Sequence, residues 1–530
     1  MPLLIGLDIG TTSVKAGVFD ASGRQLSSVG REYRISHPAP ERAELDAWIY
    51  WTSAVEAMRA ALAIARRSSG TQPVVAIGVS SQGETVVPVD AAGRPLAPAM
   101  VWLDNRATAE ARDLSERFDD ATVYDVTGVP DVNPTWSAAK ILWLRRNAPE
   151  IFRDAARFLL VEDFLLHRLT GRFVTEGGVQ CTTLLLDIRG GRWWPEMLDA
   201  VGIGPDRLGE LVSPATVVGT LTAEAAEALG LPTDVAVVAA GMDQGAGAVG
   251  VGNVGGFEAS PGSAPTSFLP ASSAPSIVSE STGGALTLQA SVDRHGRDAT
   301  RRTPVYVHSA PGRYLYCPVC PTGGMALTWF RDNLGQDEVA RAADGGGNAY
   351  DLLTALAADV PPGADGLTML PHLMGAFSPE YVPEATGVFA GLTLHHAKGH
   401  FVRAVLEGVA FMLRRNLELL ADAGAPATEI RSHGGGARSP LWNQVKADVC
   451  GRPVVTLNGE DAAVRGDAML AGVAVGVFPD LAVAASTMIS VDRRYEPDPA
   501  TRSAYDDAYS RYIRTFDALR PIFVAAATAQ

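Results

Sequence analysis

Cysteine is scarce in this chain, which has four in 530 residues. Four cysteines are too few for a disulfide framework at this length, so we expect reduced thiols and a cytoplasmic protein. Cys317 and Cys320 form a lone C-x-x-C pair, and no second pair or histidine accompanies it at zinc-ligand spacing. The sequence therefore predicts structural cysteines at these positions rather than a zinc site.

Long apolar runs and an excess of positive charge are missing as well. The first apolar run ends at Asp8, far short of the roughly 18 residues that span a membrane, so no export signal or anchor is expected. The 44 basic residues are outnumbered by 59 acidic ones, and the net charge of −15 removes the positive field that nucleic-acid binding usually needs. Membranes and nucleic acids are therefore not expected as partners.

The composition that is present is typical of a globular enzyme, with 47% hydrophobic and 19% charged residues. A chain of 530 residues exceeds one ordinary core, so about two or three domains are expected. In the first half, predicted strands alternate with predicted helices. The strands are predicted within residues 3–19 (strand, turn, strand), 74–79 and 235–239, and the helices at 46–67, 107–118, 138–147 and 162–169.

Residues 255–276 break this pattern, because they are rich in Gly, Ala, Ser and Pro and show no periodicity. We interpret them as a linker or insertion. After them the strand-turn-strand pattern recurs at residues 277–290, followed by helices at 325–333 and 397–421 and a strand at 430–432. The sequence thus predicts two α/β halves, each with hydroxyl side chains at the bend of a strand-turn-strand.

The first chemical motif is the turn after the first strand, Gly10-Thr11-Thr12-Ser13, preceded by Asp8 and followed by Lys15. Amides and hydroxyls crowded in one turn can hold phosphate oxygens, Asp8 can bind hydrated magnesium and Lys15 adds positive charge. An ordinary hairpin with a capping threonine is the alternative. The GxxxxGK[ST] spacing of a Walker loop is absent, and we favour phosphate binding.

Two more motifs follow predicted strands. Gly434-Gly435-Gly436 and Ser439 precede a helix, and such a turn lets the backbone approach a ligand while the helix N-terminus favours phosphate; a plain glycine turn is the alternative. Asp243 precedes a small-residue helix, where a carboxylate could take the proton of a hydroxyl that attacks a γ-phosphoryl group. Capping of that helix by Asp243 is the alternative.

Two longer patterns resemble a known family. The first is a seven-residue spacing between Gly387-Val-Phe-Ala-Gly-Leu392 and His400-Phe-Val-Arg-Ala-Val-Leu-Glu407. The second runs through Ser137, Lys140, Trp143, Leu144, Arg146 and Asn147, with Thr135 as a departure. Together they resemble the signatures of the FGGY family of carbohydrate kinases, and the resemblance extends over nearly the whole chain.

The resemblance implies an α/β fold of two actin-like ATPase (ribonuclease-H-like) domains flanking a central cleft. We expect residues 1–254 to be the N-terminal domain, with the sugar site and the catalytic base. Residues 255–276 would be the linker, and 277–485 the C-terminal, nucleotide-binding domain. Residues 486–530 are expected to be a helical extension. A homodimer is one expectation for the assembly. No residue pattern in the sequence fixes the oligomeric state.

The same resemblance implies roles for the residues of the motifs, with ATP and Mg²⁺ as cofactors. Asp243 would be the catalytic base and Asp8 the magnesium ligand. The residues that would contact ATP are Thr11, Thr12, Ser13 and Lys15 in the first turn, Thr282 and Gly283 in a second phosphate hairpin, Gly324, and Gly434, Gly435, Gly436 and Ser439 at the adenosine. Gly262-Ser263 is a weaker alternative for the second hairpin, because no strand-like run follows it.

Residues Gln82-Gly83-Glu84 resemble the acceptor loop of the family. They reproduce neither the Arg-Glu pair of glycerol kinases nor the Met-His pair of many xylulokinases. Glu84 can accept two hydrogen bonds from a polyol, and Gly83 would leave room for an acceptor of about four to six carbons. Trp102 would form a pocket wall, with burial in the core as the alternative. Asp104 and Gln244 would pair with hydroxyl groups.

One further departure from the family pattern and one histidine cluster remain in the sequence. Asp467 stands where a small residue is common and would affect nucleotide affinity, with Arg465 nearby to neutralise it. For His395, His396 and His400, polar placement at a helix start is favoured over a metal site.

The leading hypothesis is an ATP:carbohydrate phosphotransferase whose acceptor is a ketopentose such as D-xylulose. Other acceptors kept open are erythritol, ribulose, gluconate and glycerol. The alternatives of another class are a non-catalytic sugar or nucleotide sensor on the same fold and a chaperone or filament-type actin relative.

Overall fold

The computed structural model describes residues 1–255, 276–294, 298, 300–459 and 461–528. The linker predicted at 255–276 lies almost entirely outside the described residues, as does the alternative hairpin at 262–263. The chain divides into two compact α/β units. The first unit comprises Met1–Gly255, Ser291–Leu315 and Asp461–Ser490, and the second comprises Gly256–Ala290, Tyr316–Glu460 and Val491–Gln530.

Strands and helices alternate along most of the chain. The strands are β1 (Leu3–Ile9), β2 (Ser13–Asp20), β3 (Gln25–Glu32), β4 (Glu44–Leu45), β5 (Val74–Ser81), β6 (Val87–Val89), β7 (Ala99–Met100), β8 (Arg157–Leu159), β9 (Val174–Glu176), β10 (Leu186–Asp187), β11 (Arg192–Trp193), β12 (Glu210–Val212), β13 (Thr216–Thr220), β14 (Ala236–Met242), β15 (Ile277–Thr282), β16 (Leu286–Val292), β17 (Val305–Val307), β18 (Tyr314–Tyr316), β19 (Val319–Cys320), β20 (Thr368–Leu370), β21 (Val388–Ala390), β22 (Glu429–His433), β23 (Val454–Leu457) and β24 (Val491–Tyr495).

The helices are α1 (Ala47–Ser69), α2 (Thr108–Arg117), α3 (Asp120–Thr127), α4 (Ser137–Asn147), α5 (Pro149–Asp154), α6 (Val161–Thr170), α7 (Gly177–Gln180), α8 (Pro195–Val201), α9 (Ala223–Leu229), α10 (Asp243–Gly250), α11 (Met325–Leu334), α12 (Gln336–Ala343), α13 (Ala349–Ala358), α14 (Lys398–Asp422), α15 (Pro440–Cys450), α16 (Ala462–Ala474), α17 (Leu481–Met488) and α18 (Arg502–Thr528). In the part of the chain that the structure describes, no helix combines the length and the apolar character that crossing a bilayer requires.

The first unit is organised around a six-stranded sheet with strand order β13-β14-β5-β1-β2-β3. β1 and β2 form the antiparallel hairpin that the sequence predicts, and β5 runs parallel to both β1 and β14. Both faces of the central strands are buried: Leu3 and Ile5 belong to the core that includes α1 and α6, and Leu4 belongs to the core on the side of α16. This two-sided burial explains the continuous apolar runs in these strands.

Helix α16 lies unusually close to the sheet of the first unit. A Cβ atom added at Gly6 would lie 1.8 Å from the carbonyl oxygen of Val464, and one at Gly78 would lie 2.2 Å from that of Asp467. Any side chain at these two positions would displace the helix, so glycine is required in the middle of β1 and β5. The close approach brings Asp467 to the edge of the sheet where β1 and β5 end.

The second unit repeats the arrangement with different residues. In its sheet the strands β16, β15, β22, β23 and β24 are neighbours in that order. β15 and β16 form an antiparallel hairpin, and β22 is parallel to β15. Because the carboxyl ends of parallel strands meet at one edge of a sheet, the turn after Thr282 and the turn after His433 lie side by side.

Candidate active site

The acids that the sequence singles out meet at one edge of the sheet of the first unit. Asp8 is near the end of β1, where it is in register with Ser80 of β5, and Asp243 directly follows β14. Burial, followed by the charge of Asp8, raises the pKa of Asp243 to about 8. Burial also raises the pKa of Asp8 to about 6, against the opposing effect of Lys15.

Asp243 is the first residue of α10 and does not cap that helix. The N-cap is Met242, and the carboxylate Oδ1 of Asp243 accepts a hydrogen bond of 2.7 Å from the backbone N–H of Gln244. The capping role that was the alternative for Asp243 is therefore wrong. A half-buried carboxyl at a strand end, without a capping function, fits a group that exchanges a proton with a substrate hydroxyl.

Hydrogen bonds within the turn and from Tyr33 and Trp102 hold the turn between β1 and β2, and the Tyr33 hydroxyl donates to the carbonyl of Gly10. The backbone N–H of Gly10 donates to the carbonyl of Ser13 at 2.9 Å, and that of Tyr33 donates to the carbonyl of Thr12 at 2.9 Å. The indole Nε1 of Trp102 donates to Oγ1 of Thr11 at 2.8 Å. Trp102 is only partly buried against the core, and its backbone N–H donates to the hydroxyl of Thr85 at 3.2 Å, so it connects the loop at residues 82–85 to this turn.

Lys15 lies opposite Asp8 in the β1–β2 ladder. Its ammonium group forms an ion pair of 2.7 Å with Asp461 and is partly exposed. A phosphate group approaching the turn would therefore compete with Asp461 for this cation.

Asp467 is a third carboxyl at the same edge, and it is fully buried, whereas Asp8 and Asp243 are half-buried. Ser80 donates to Oδ2 of Asp467 at 3.0 Å and lies 3.4 Å from Oδ1 of Asp8. Burial, followed by the charges of Asp8 and Asp243, raises the pKa of Asp467 well above its usual value. Arg465, which the sequence suggested as a neutralising partner, donates instead to the carbonyl of Gly250 at 2.7 Å.

The oxygen ligands at this edge suit a hard divalent cation. Carboxylate and hydroxyl oxygens are the donors that Mg²⁺ prefers, and Mg²⁺ keeps several of its waters. The buried Oδ1 of Asp467 has no hydrogen-bond partner among the described residues, which leaves one acceptor for such a water. Asp8 and Asp467 therefore fit a hydrated cation.

The acceptor loop is anchored by two residues of the N-terminal signature. The ammonium group of Lys140 donates to the carbonyl oxygens of Glu84 at 3.2 Å and Val101 at 2.9 Å, and Ser137 donates to that of Glu84 at 3.1 Å. Sequence reasoning used Lys140 and Ser137 only to recognise the family. Their contacts show that they hold the loop with Glu84 in a left-handed conformation (φ 57°), a strained backbone that is common at functional sites.

Glu84 and Gln82 present polar groups in this loop. Burial raises the pKa of Glu84 to about 7, with Lys140 opposing the shift. The amide nitrogen of Gln82 donates to the hydroxyl of Tyr50 at 3.1 Å, whereas its buried Oε1 has no partner among the described residues. Gln82 thus offers an acceptor for a substrate hydroxyl, and Gln244 lies half-buried in the first turn of α10.

Two predictions for the acceptor site need correction. A Cβ atom at Gly83 would lie 2.5 Å from Oγ1 of Thr182, so the space beside Gly83 is filled by protein and does not enlarge the pocket. Asp104 is also unavailable to a substrate, because it accepts from the backbone of Ala43 at 2.8 Å and from the Arg106 guanidinium at 2.8 and 2.6 Å. The contact of Gly83 with Thr182 and that of Asp104 with Ala43 join segments that are distant in the sequence, so local patterns predict neither of them.

The second unit contains a cavity of 320 Å³ at its paired turns. Of the residues predicted to contact ATP, those that line it are Thr282, Gly283, Gly324, Gly435, Gly436 and Ser439. Gly434 is not among the lining residues; its φ of 79° turns the chain at the end of β22. Lining residues that the sequence did not indicate are Gly284, Leu327, Thr328, Asn348, Tyr350, Asp351, Thr354, Arg438 and Trp442.

The walls of this cavity depend on close backbone contacts. The backbone N–H of Gly324 donates to the carbonyl of Gly283 at 2.9 Å, and a Cβ atom at 324 would lie 2.4 Å from that oxygen. Ser439 caps α15 by accepting from the backbone of Trp442 at 3.3 Å. The lining residues within 348–354 could not be predicted from the sequence, because their spacing is typical of any amphipathic helix and does not indicate a ligand site.

The three histidines gather around Asp365 in the second unit. Nδ1 of His400 accepts from the backbone N–H of Ala397 at 3.0 Å, and its Nε2 lies 3.1 Å from the carboxylate of Asp365. Asp365, His395 and His400 are close enough together to hold a metal ion. However, a ring whose Nδ1 accepts a hydrogen bond keeps its proton on Nε2, so His400 caps the helix start, as predicted, and its Nε2 donates to Asp365.

The chain matches known proteins over nearly its whole length. Residues 3–250 match the N-terminal domain, and residues 285–475 the C-terminal domain, of the FGGY family of carbohydrate kinases. The chain belongs to this family. A xylulose kinase from Escherichia coli (strain K12) is 30% identical over 521 residues, which cover 98% of this chain and 100% of that protein. A gluconokinase from Bacillus subtilis (strain 168) is 29% identical, covering 98% and 94%.

Among solved structures, the xylulose kinase from Rhodospirillum rubrum aligns with a TM-score of 0.84 at 28% identity, covering 98% of this chain and 99% of that one. The resemblance found in the sequence is thus confirmed, and with it the actin-like ATPase fold. This FGGY kinase is an ATP-dependent sugar kinase, and its family implies ATP and typically a divalent metal ion. The sensor and the filament-type relative are therefore not supported.

Proposed function

We propose that this FGGY kinase transfers the γ-phosphoryl group of Mg²⁺-ATP to a hydroxyl of a ketopentose such as D-xylulose. The observation that carries the proposal is that Asp243, a half-buried carboxyl that does not cap its helix, lies with Asp8 at the same sheet edge. The relatives named as xylulose kinases support the acceptor class.

In the proposed reaction the residues of the first unit handle the acceptor. Glu84 and the Oε1 of Gln82 accept hydrogen bonds from its hydroxyls, and Asp243 takes the proton of the attacking hydroxyl as the new O–P bond forms and the bond to ADP breaks. The amides of the turn at residues 11–13 and the ammonium of Lys15 face the phosphate oxygens. When bound near Asp8 and Asp467, Mg²⁺ would neutralise charge on the phosphates.

The acceptor loop favours a neutral sugar over an aldonate such as gluconate. A gluconate carboxylate would meet the buried carboxyl of Glu84, and the neighbouring ammonium of Lys140 is already committed to two backbone carbonyls. Uncompensated like charges in a buried site are unfavourable. We therefore rank ketopentoses first, neutral polyols such as erythritol second, and gluconate after them.

A coupled ADP-release assay tests the proposal. The panel is D-xylulose, D-ribulose, erythritol, glycerol and gluconate, with the Asp243→Asn variant as the catalytic control. The proposal expects the highest kcat/KM for a ketopentose and negligible rates for the variant. The highest kcat/KM for gluconate would refute the acceptor class, and equal rates in the variant would refute the role of Asp243.

A further inference from the structure

A buried ion pair lies directly beneath the cavity of the second unit. The ammonium group of Lys446, on α15, is 3.0 and 3.1 Å from the two carboxylate oxygens of Glu280, on β15. Both side chains are entirely buried. Ser432 donates to Glu280 at 2.5 Å, so the pair is satisfied on several sides.

Thr282 is the member of this network that reaches the cavity. Its hydroxyl donates to Oε1 of Glu280 and accepts from the ammonium group of Lys446 at 2.9 Å. A threonine hydroxyl has a single proton to donate. Since Glu280 receives that proton, the hydroxyl of Thr282 cannot donate to a phosphate oxygen while the network is intact.

The carbon atoms of Thr282 shape both glycine turns of the cavity. A Cβ atom added at Gly436 would lie 2.6 Å from Cβ and 2.7 Å from Cγ2 of Thr282, and one at Gly324 would lie 3.6 Å from Cγ2. The turn at Gly436 therefore packs directly on this side chain. The rotamer of Thr282 determines where that turn lies, and the hydroxyl contacts hold the rotamer.

We propose that Glu280 and Lys446 are positioning residues for the nucleotide. By holding Thr282 they fix the hairpin at Gly283 and the turn at Gly436, and recognition of phosphate at this hairpin falls to backbone N–H groups rather than to the Thr282 hydroxyl. Trp442, which lines the cavity, lies with its ring 5.3 Å from the Lys446 ammonium. The inference rests on the assignment of this cavity to ATP.

A purely structural role would give a different result. Replacing a buried ion pair by apolar residues of similar size is often neutral for stability, whereas removing one partner is strongly destabilising. The double variant Glu280→Leu/Lys446→Met therefore removes the anchor of Thr282 without leaving a buried charge. Its matched control is Arg403→Met/Glu407→Leu, which removes another buried ion pair of the second unit, at 2.8 Å, whose residues do not line the cavity.

The test measures the dissociation constant of ATP by calorimetry, KM for ATP and for the acceptor, and the thermal unfolding temperature, all on the full chain. We expect the Glu280→Leu/Lys446→Met variant to bind ATP about tenfold or more weakly, with KM for the acceptor unchanged. The control should bind ATP like wild type even if its unfolding temperature falls.

Two outcomes would overturn the inference: wild-type ATP affinity in the Glu280→Leu/Lys446→Met variant, or a loss of affinity as large in the control. If the double variant does not fold, Lys446→Arg retains a cation of different shape, and unchanged ATP affinity in that variant counts against the inference. The cavity assignment fails separately if Thr328→Phe, which fills part of the cavity, leaves ATP binding intact.

Discussion

The indole nitrogen of Trp102 donates a hydrogen bond of 2.8 Å to the hydroxyl of Thr11. The backbone N–H of Trp102 donates to the hydroxyl of Thr85 at 3.2 Å, directly after the loop at Gln82–Glu84 that we propose binds the acceptor. Thr11 belongs to the turn that we propose binds phosphate. One side chain thus links the two proposed parts of the site.

Replacing Trp102 by Phe keeps an aromatic ring but removes this donor. A side-chain hydrogen bond contributes about 1 kcal/mol, so we expect kcat/KM to fall roughly fivefold for both ATP and the acceptor. Steady-state kinetics with each substrate varied in turn measure the change. Trp48→Phe, at a surface position of the same unit, is the control, and an effect on one substrate alone would contradict the link.

The Asp243→Asn variant removes the proposed base and keeps its shape. We expect turnover to fall by roughly 10² to 10⁴ while the acceptor still binds, because only proton transfer is lost. Single-turnover kinetics and equilibrium binding of the acceptor distinguish these effects. Asp234→Asn changes an exposed carboxylate of the same unit and should leave turnover unchanged.

Asp467 is expected to strengthen cation binding. In the Asp467→Asn variant one carboxylate of the cluster with Asp8 is lost, so the Mg²⁺ concentration that gives half-maximal activity should rise several-fold, and calorimetric Mg²⁺ affinity should fall with it. An unchanged affinity would assign Asp467 to packing between α16 and the sheet. Asp20→Asn, a buried carboxylate of the hairpin end remote from this edge in the β1–β2 ladder, is the control.

His372 should make the second unit sensitive to acid. Burial lowers the pKa of His372 to about 4 from 6.5, and its ring lies beside Tyr512 and Phe516. Because the folded state keeps the His372 ring neutral while the unfolded chain protonates it, the stability that the buried ring contributes is fully present above about pH 6.5. That stability is lost as the pH falls toward 4. Between pH 7 and pH 5 the loss is on the order of 2 kcal/mol.

The His372→Phe variant should therefore lose less free energy of unfolding than wild type over that pH range, as measured by denaturant titration at both pH values. His37→Phe replaces an exposed histidine and should retain the wild-type dependence. Parallel pH dependences in wild type and His372→Phe would exclude the buried ring as the cause.

Much of the molecule was predictable from local patterns. The helix predicted at 397–421 is observed as Lys398–Asp422, and the strand-turn-strand units at 3–19 and 277–290 are both antiparallel hairpins. These elements follow from periodicity and turn residues, which act over a few positions along the chain. The family, too, followed from short motifs with fixed spacing.

The predictions that failed, for Gly83 and Asp104, and the features that went unnoticed share one cause. Whether Gly83 borders a pocket depends on Thr182, and the backbone of Ala43, 61 residues away, occupies Asp104. The Thr282 hydroxyl accepts a hydrogen bond from Lys446, 164 residues away. Neighbouring residues along the chain determine the order of the elements, the hairpins and the kinds of side chain at each turn. Which of those side chains remain available for a substrate depended on packing between remote segments, because a buried polar group must find a partner and no local pattern specifies which one.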